Sequence, residues 1–220
     1  MASRPAYDLK TPLIIWNASL SGFSFLGALR VCPELLFQLS NNTFSETICA
    51  PSSLTWGTGA TGLWVQLFVY SKIPELFDTF FIVARKKPLM FLHWYHHVSV
   101  LGYCWHSYAT EAPQALSFVT MNYLVHSIMY GYYCLMAMKM KPTWLSPVII
   151  TVMQIAQMIM GTLVQLNASY KYITDESCDI NRDNVIFGGL MYASYLTLFT
   201  QFAMKRYGTR KNNSLHMKIH

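Results

Sequence analysis

Six stretches of this chain are each about as long and apolar as a helix must be to cross a hydrocarbon core of roughly 30 Å, which takes about 20 residues. They run over approximately 11–29, 59–84, 89–108, 115–138, 144–168 and 185–204. Together they take more than half of the 220 residues, and the connections between them are too short for a second domain. The expected fold is therefore all-α and polytopic, a single membrane-embedded domain over 1–220 with six transmembrane helices. Only 12% of residues are charged, about half the share of an ordinary soluble domain, which excludes a water-soluble globule. A net charge of +6 invites a nucleic-acid reading. A basic stripe that neutralises phosphates needs a solvated polar face, however, and this composition offers almost none. No nucleic-acid partner is expected. The first stretch lacks the small-residue cleavage site of a signal peptide and is longer than a typical apolar signal core, so it reads as a retained span.

Lys and Arg set the orientation, because cytosolic flanks carry their excess. Both ends of the chain, the 85–88 loop with Arg85, Lys86 and Lys87, and the 139–143 loop with Lys139 and Lys141 fall on one side with twelve of the 16 Lys and Arg. Only Arg30, Lys171 and Arg182 fall on the other side, and Lys72 lies within the second stretch. Both termini are thus expected in the cytosol. The other three loops face a lumen. Cys49 and Cys178 both lie on the luminal side, where an oxidising compartment permits disulfides. A Cys49–Cys178 bridge is expected, with Cys32 as the competing partner. Cys104 and Cys134 fall within spans and read as small buried hydrophobes. Asn41 opens a luminal glycosylation sequon, Asn41-Asn42-Thr43, while Asn212-Asn213-Ser214 is cytosolic and should stay unmodified.

Polar residues stand where the membrane should forbid them. An ionisable group near the bilayer centre costs about 2.5–3.5 kcal/mol on insertion scales, so such groups face a protein interior or a wet cavity and mark function. The second stretch carries Lys72, Glu75, Asp78 and Thr79 at helical spacing. The third carries His93, His96 and His97, and the fourth Asn122 and His126, followed by Met129, Tyr130, Tyr132 and Tyr133. Thr151, Gln154 and Gln157 recur at three-residue steps in the fifth. At 1.5 Å per residue, Asp78 lies about 10 Å from the cytosolic edge, His96 about 13 Å, and Lys72, His126 and Gln154 roughly 20 Å. Helices with matching polar faces at matching depth most economically point them at one another. One enclosed chamber opening toward the cytosol follows, with the short loops pairing the second stretch with the third and the fourth with the fifth as antiparallel hairpins.

Each group has a plainer reading. Gln and Asn in spans serve as interhelical hydrogen-bond glue, Tyr as packing, and a Lys–Glu–Asp set as a structural ion pair. Three His within five residues of a span have no comparable structural role. Imidazoles at i, i+3 and i+4 suit a metal, and membrane di-iron desaturases and hydroxylases resemble this box. Those families use about eight His ligands over several boxes, whereas this chain has 7 His in all, so no metal is expected. A proton-coupled transporter also uses intramembrane His, Asp and Glu, and would need a path open to each face in turn. The remaining reading is acyl transfer. A neutral imidazole attacks a thioester to give an acyl-imidazole that stays activated for the next acceptor. An apolar tunnel with a wet mouth suits an acyl-CoA.

The segments Lys72-Ile-Pro-Glu75-Leu-Phe-Asp78-Thr79, His93-Trp-Tyr-His96-His97, Asn122-Tyr-Leu-Val-His126-Ser-Ile-Met129-Tyr130-Gly-Tyr132-Tyr133 and Thr151-Val-Met-Gln154-Ile-Ala-Gln157 resemble, in order and spacing, the four signature boxes of the ELO family of fatty-acid elongases. The His-Trp-Tyr-His-His form is similar to the branch acting on saturated and monounsaturated chains. The resemblance covers nearly the whole chain. It implies a 3-oxoacyl-CoA synthase of the endoplasmic reticulum membrane, an acyltransferase condensing acyl-CoA with malonyl-CoA, without a metal or other cofactor. Its partners would be membrane lipids, other enzymes of the elongation cycle and a second copy of itself. The family has seven spans; the first stretch here resembles its second, and the first has no counterpart.

The expected order is ping-pong, with His96 as nucleophile and His126 as oxyanion or enolate partner. His93 and His97 would set the tautomer of His96. Asn122, Tyr130 and Tyr133 are further donors, and Lys72, Glu75, Asp78, Thr79, Gln154 and Gln157 form a supporting polar network. Arg85, Lys86, Lys87, Lys139 and Lys141 are candidate binders of CoA phosphates, or ordinary topology signals.

Overall fold

Helices α1 (Lys10–Asn41), α2 (Phe44–Cys49), α3 (Gly59–Glu75), α4 (Phe77–Ala84), α5 (Phe91–Ala109), α6 (Ala115–Ala137), α7 (Pro147–Thr174) and α8 (Arg182–Ala203) follow one another along the chain. They come from a computed structural model that describes residues 6–175, 178 and 180–208, and no strand occurs among those residues. The long helices close a ring: α1 packs on α3 and α6, α3 on α5, α5 on α8, α8 on α7, and α7 on α6. The hairpins expected from the short loops are both present in it. In lipid a helix satisfies its own backbone, so an all-α ring is the natural answer to this composition. Helices over Lys10–Asn41, Pro147–Thr174 and Arg182–Tyr207 are long and apolar enough to cross a membrane by length and composition alone. The break at Leu76 divides the second stretch into helices of 17 and 8 residues. The fold is that of an all-α polytopic membrane protein.

Several boundaries differ from the apolar stretches. The first helix does not stop near residue 29 but continues through Arg30, Cys32 and Pro33 to Asn41, because a helix ends where its caps are, not where apolarity fades. The stretch over 59–84 is broken at Leu76. Pro74 has no N–H to continue the ladder, and two helices result. α7 starts at Pro147, capped by Ser146, and runs past residue 168 to Thr174. α5 is offset from 89–108 to Phe91–Ala109, α6 ends at Ala137, and α8 covers Arg182–Ala203 rather than 185–204, its start capped by Asn181.

Three helix ends share one device. After α4, α5 and α6 the amides of Lys87, Ala112 and Met140 reach back to the carbonyls of Ile82, Ser107 and Leu135 at 3.0, 2.9 and 2.9 Å. This six-to-one closure puts Lys86, Glu111 and Lys139 at positive φ, the left-handed position that glycine usually fills.

α1 lies close along α6 because Gly27 has no side chain; a Cβ there would meet the Tyr123 ring at 2.4 Å. Tyr123 is buried among Phe23, Trp64 and Phe68 and donates its hydroxyl to the Trp64 carbonyl at 2.9 Å. At the opposite end from Arg85 and Lys139, Cys49 and Cys178 are joined by a disulfide that ties the end of α2 to the α7–α8 connection. Cys32, Cys104 and Cys134 are free. α2 opens with a reciprocal cap in which Thr43 and Glu46 bond each other's backbone. The Thr43 amide holds the Glu46 carboxyl below its usual range. Asn41 is exposed at the end of α1; Asn212–Ser214 lies outside the described residues.

Candidate active site

Two cavities lie inside the ring and meet at His96. The wider holds about 560 Å³ and is lined by His93, His96 and His97 from α5, Asn122, His126 and Tyr130 from α6, Gln154 and Gln157 from α7, and Asp78 from α4. Arg85 and Lys87 line it at the end where the basic loops cluster. The narrower holds about 60 Å³ and runs between Val65, Phe68 and Val69 of α3, Tyr103 and Cys104 of α5, Phe118 and Val119 of α6, and Tyr192 and Tyr195 of α8. His96, Asn122, Gln157 and Met158 line both. A chamber lined by polar side chains and basic at one end therefore passes at His96 into an apolar slot.

The polar stripe of the second stretch is not one network. The break at Leu76 turns Asp78 away from the Lys72–Glu75 pair. Asp78 accepts from the Trp16 indole N–H and the Tyr130 hydroxyl, both at 2.7 Å, and so pins α1 and α6 to the wall of the chamber. Lys72 and Glu75 are only 2% and 4% exposed and pair at 2.6 Å. Lys72 also stands over the Phe68 ring at 4.1 Å and donates to Asn122 Oδ1 at 3.3 Å. Neither residue of the pair lines either of these two cavities, and Lys72 reaches the chamber through Asn122.

That contact fixes a tautomer. An ammonium only donates, so the Asn122 oxygen faces Lys72 and its NH2 faces His126 Nε2, 3.2 Å away. An amide NH2 also only donates. Nε2 must therefore offer a lone pair, which leaves the His126 proton on Nδ1. His126 is neutral, with one N–H to give, on a residue that lines the chamber. A group of this kind stabilises a developing negative oxygen without being a strong base.

On α5 the His93 and His97 rings lie 4.5 Å apart and those of His96 and His97 5.6 Å. No three His, Cys, Asp or Glu side chains among the described residues converge as metal ligands. His96 is backed by α8: the Tyr195 hydroxyl donates to its carbonyl at 3.2 Å and the two rings lie 4.8 Å apart. Ser99 Oγ lies 2.7 Å from the same hydroxyl.

The ELO (GNS1/SUR4) family profile matches residues 1–215. The chain belongs to the ELO family. Among its relatives, very long chain fatty acid elongase 6 of Drosophila melanogaster is 45% identical over 209 residues, covering 94% of this chain and 66% of the relative. Very long chain fatty acid elongase 4 of Trypanosoma cruzi is 40% identical over 210 residues, and very long chain fatty acid elongase 6 of Mus musculus is 38% identical over 208 residues. These cover 94% of this chain and 73% and 77% of the relatives, respectively. The chain spans about two thirds of the length of the insect relative.

In this ELO chain the four histidines named from the sequence, with Asn122, Tyr130, Tyr133, Gln154, Gln157 and Asp78, share the wider chamber. Gln154 donates to the Met129 sulfur at 3.2 Å. Thr79 is half-buried on α4 outside the chamber wall, and Tyr132 is buried in an apolar cluster with Leu20 and Leu145. Of the five basic candidates only Arg85 and Lys87 line the chamber; Lys86, Lys139 and Lys141 are exposed outside its wall. Sequence reasoning placed α8 as the sixth span but assigned it no residue of the site. Tyr192, Tyr195 and Phe199 follow one helical face at i, i+3 and i+7, the signal by which it was open to discovery.

Proposed function

We propose that this chain is the condensing enzyme of fatty-acid elongation, a 3-oxoacyl-CoA synthase that joins a long-chain acyl-CoA to malonyl-CoA. The carrying observation is the position of His96, where the basic-ended chamber meets the apolar slot. An acyl-CoA laid across that junction puts its chain in the slot, its thioester at His96 and its CoA toward Arg85 and Lys87. Family membership and the elongase names of the relatives support the same reading.

In the first half-reaction an imidazole nitrogen of His96 attacks the thioester carbon. The C–S bond breaks, and CoA leaves as the thiol with the imidazole proton. Malonyl-CoA then enters, loses carbon dioxide, and the electron pair of the broken C–C bond attacks the acyl carbon. The new C–C bond expels the imidazole, which regains a proton from solvent. The Nδ1–H of His126 stabilises the enolate or the tetrahedral oxyanion. Decarboxylation supplies the carbanion, so no strong base is required. The reaction uses no metal, the chains favoured are saturated and monounsaturated, and the basic end of the ring, with both termini, faces the cytosol in the endoplasmic reticulum membrane. Purified chain supplied with an acyl-CoA and labelled malonyl-CoA should release carbon dioxide and a 3-oxoacyl-CoA two carbons longer; release of neither overturns the reading.

A further inference from the structure

Four residues line both the chamber and the slot, and a thioester held at His96 lies among them. His96 itself is the nucleophile, and Met158 has no N–H or O–H to give. Asn122 is held at its oxygen by Lys72 and at its NH2 by His126. The fourth is Gln157. It is 8% exposed, and its side-chain amide makes no hydrogen bond among the described residues. A buried amide is ordinarily paired, so a free one at this junction asks for a ligand. Gln154, one turn earlier on α7, lines the chamber but not the slot and spends its NH2 on the Met129 sulfur at 3.2 Å.

That uncommitted amide stands where charge develops. When a His96 nitrogen attacks the thioester carbon, the carbonyl oxygen at the junction becomes a tetrahedral oxyanion. An N–H donated to it stabilises the charge without transferring a proton. His126 has a different reach. It lines the chamber and not the slot, on the side where malonyl-CoA enters and its enolate forms. Two donors on two helices thus face two different oxygens, Gln157 on α7 the acyl oxygen and His126 on α6 the enolate.

We propose that Gln157 is a catalytic residue whose side-chain NH2 donates to the acyl carbonyl oxygen at His96, leaving the Nδ1–H of His126 to the enolate. On attack the carbonyl π pair moves onto oxygen, where the Gln157 N–H holds it. On collapse that pair re-forms the carbonyl and expels the CoA sulfur, which takes the imidazole proton. The N–H bond of Gln157 never breaks. The same carbonyl passes through a second tetrahedral state when the acyl group moves to the malonyl-derived carbanion, so Gln157 acts in both half-reactions. The inference rests on the acyl-CoA lying across the junction as in the proposed function.

The test combines a rate with a spectrum, both on the full chain in micelles. Gln157→Met keeps the side-chain length and removes the N–H. It should slow CoA release from acyl-CoA about a hundredfold, the usual scale for losing one oxyanion donor, with acyl-CoA affinity unchanged. Unchanged CoA release overturns the proposal. The spectrum is the infrared difference of acyl-CoA labelled with carbon-13 at its carbonyl and bound to His96→Ala, where the thioester stays intact. The carbonyl stretch should lie below that of a simple thioester in hydrocarbon, and should rise when Gln157→Met is added. A stretch at the hydrocarbon value, or one that Gln157→Met leaves in place, overturns the proposal. The hydrocarbon comparison needs no change at Gln157, so a variant that fails to fold does not obscure it. Absence of any saturable carbonyl band defeats the proposed binding mode and this inference with it, whereas a band that does not move defeats the inference alone.

Discussion

The Lys72 ammonium stands 3.3 Å from Asn122 Oδ1, and through this contact a buried ion pair on α3 determines which nitrogen of His126 on α6 carries a proton. Replacing Asn122 should therefore act on catalysis through His126. Asn122→Leu should still form the acyl-enzyme but transfer its acyl group to malonyl-CoA about a hundredfold more slowly, the usual scale for losing one positioned donor. Rapid-quench measurement of the two half-reactions checks this. Equal slowing of both halves would show that Asn122 serves the structure at large.

Lys72 and Glu75 are coupled tightly enough to be measured as a pair. Removing one partner leaves an uncompensated buried charge, which costs about 3–5 kcal/mol, whereas apolar replacement of both is often near neutral. Thermal unfolding in micelles should show Lys72→Met and Glu75→Leu each strongly destabilised and the double variant recovering much of the loss.

Tyr195 on α8, the neighbour of α5 in the ring, supports His96 through its carbonyl, at 3.2 Å. Tyr195→Phe removes that hydrogen bond and the contact with Ser99 while keeping the ring packing. It should lower kcat about tenfold through misplacement of the nucleophile, with little change in KM. Steady-state kinetics separates the two, and a rise in KM alone would assign Tyr195 to chain binding.

The Cys49–Cys178 bridge closes a loop with a sequence separation of 129. Cys49→Ser should destabilise by about 2–5 kcal/mol, the common range for losing a native disulfide. Comparison of unfolding with and without reductant checks it, since reductant should move the wild type and leave the variant unchanged.

Much of this architecture was legible because a bilayer allows so few solutions. Helix-length apolar runs gave the rods, and His96, His126, Asn122 and Gln157 stood out because lipid should exclude them. Boundaries were less legible. The first helix passes Arg30 and Pro33 to reach Asn41, since an amphipathic flank outside the apolar core remains helical until it is capped. Pro74 was visible in the sequence, but the apolar run on either side concealed the break that separates Asp78 from Glu75. The closed order of the ring depends on pairings between residues distant in sequence, such as Tyr195 with His96, and no local pattern encodes those.

The central claim is that His96 carries the acyl group between the two half-reactions. Intact-mass analysis of the purified chain after incubation with an acyl-CoA, without malonyl-CoA, tests it most directly. The account predicts a mass gain of one acyl group, absent in His96→Ala and discharged when malonyl-CoA is added. Full condensation activity with no adduct, or an adduct that persists in His96→Ala, would contradict it.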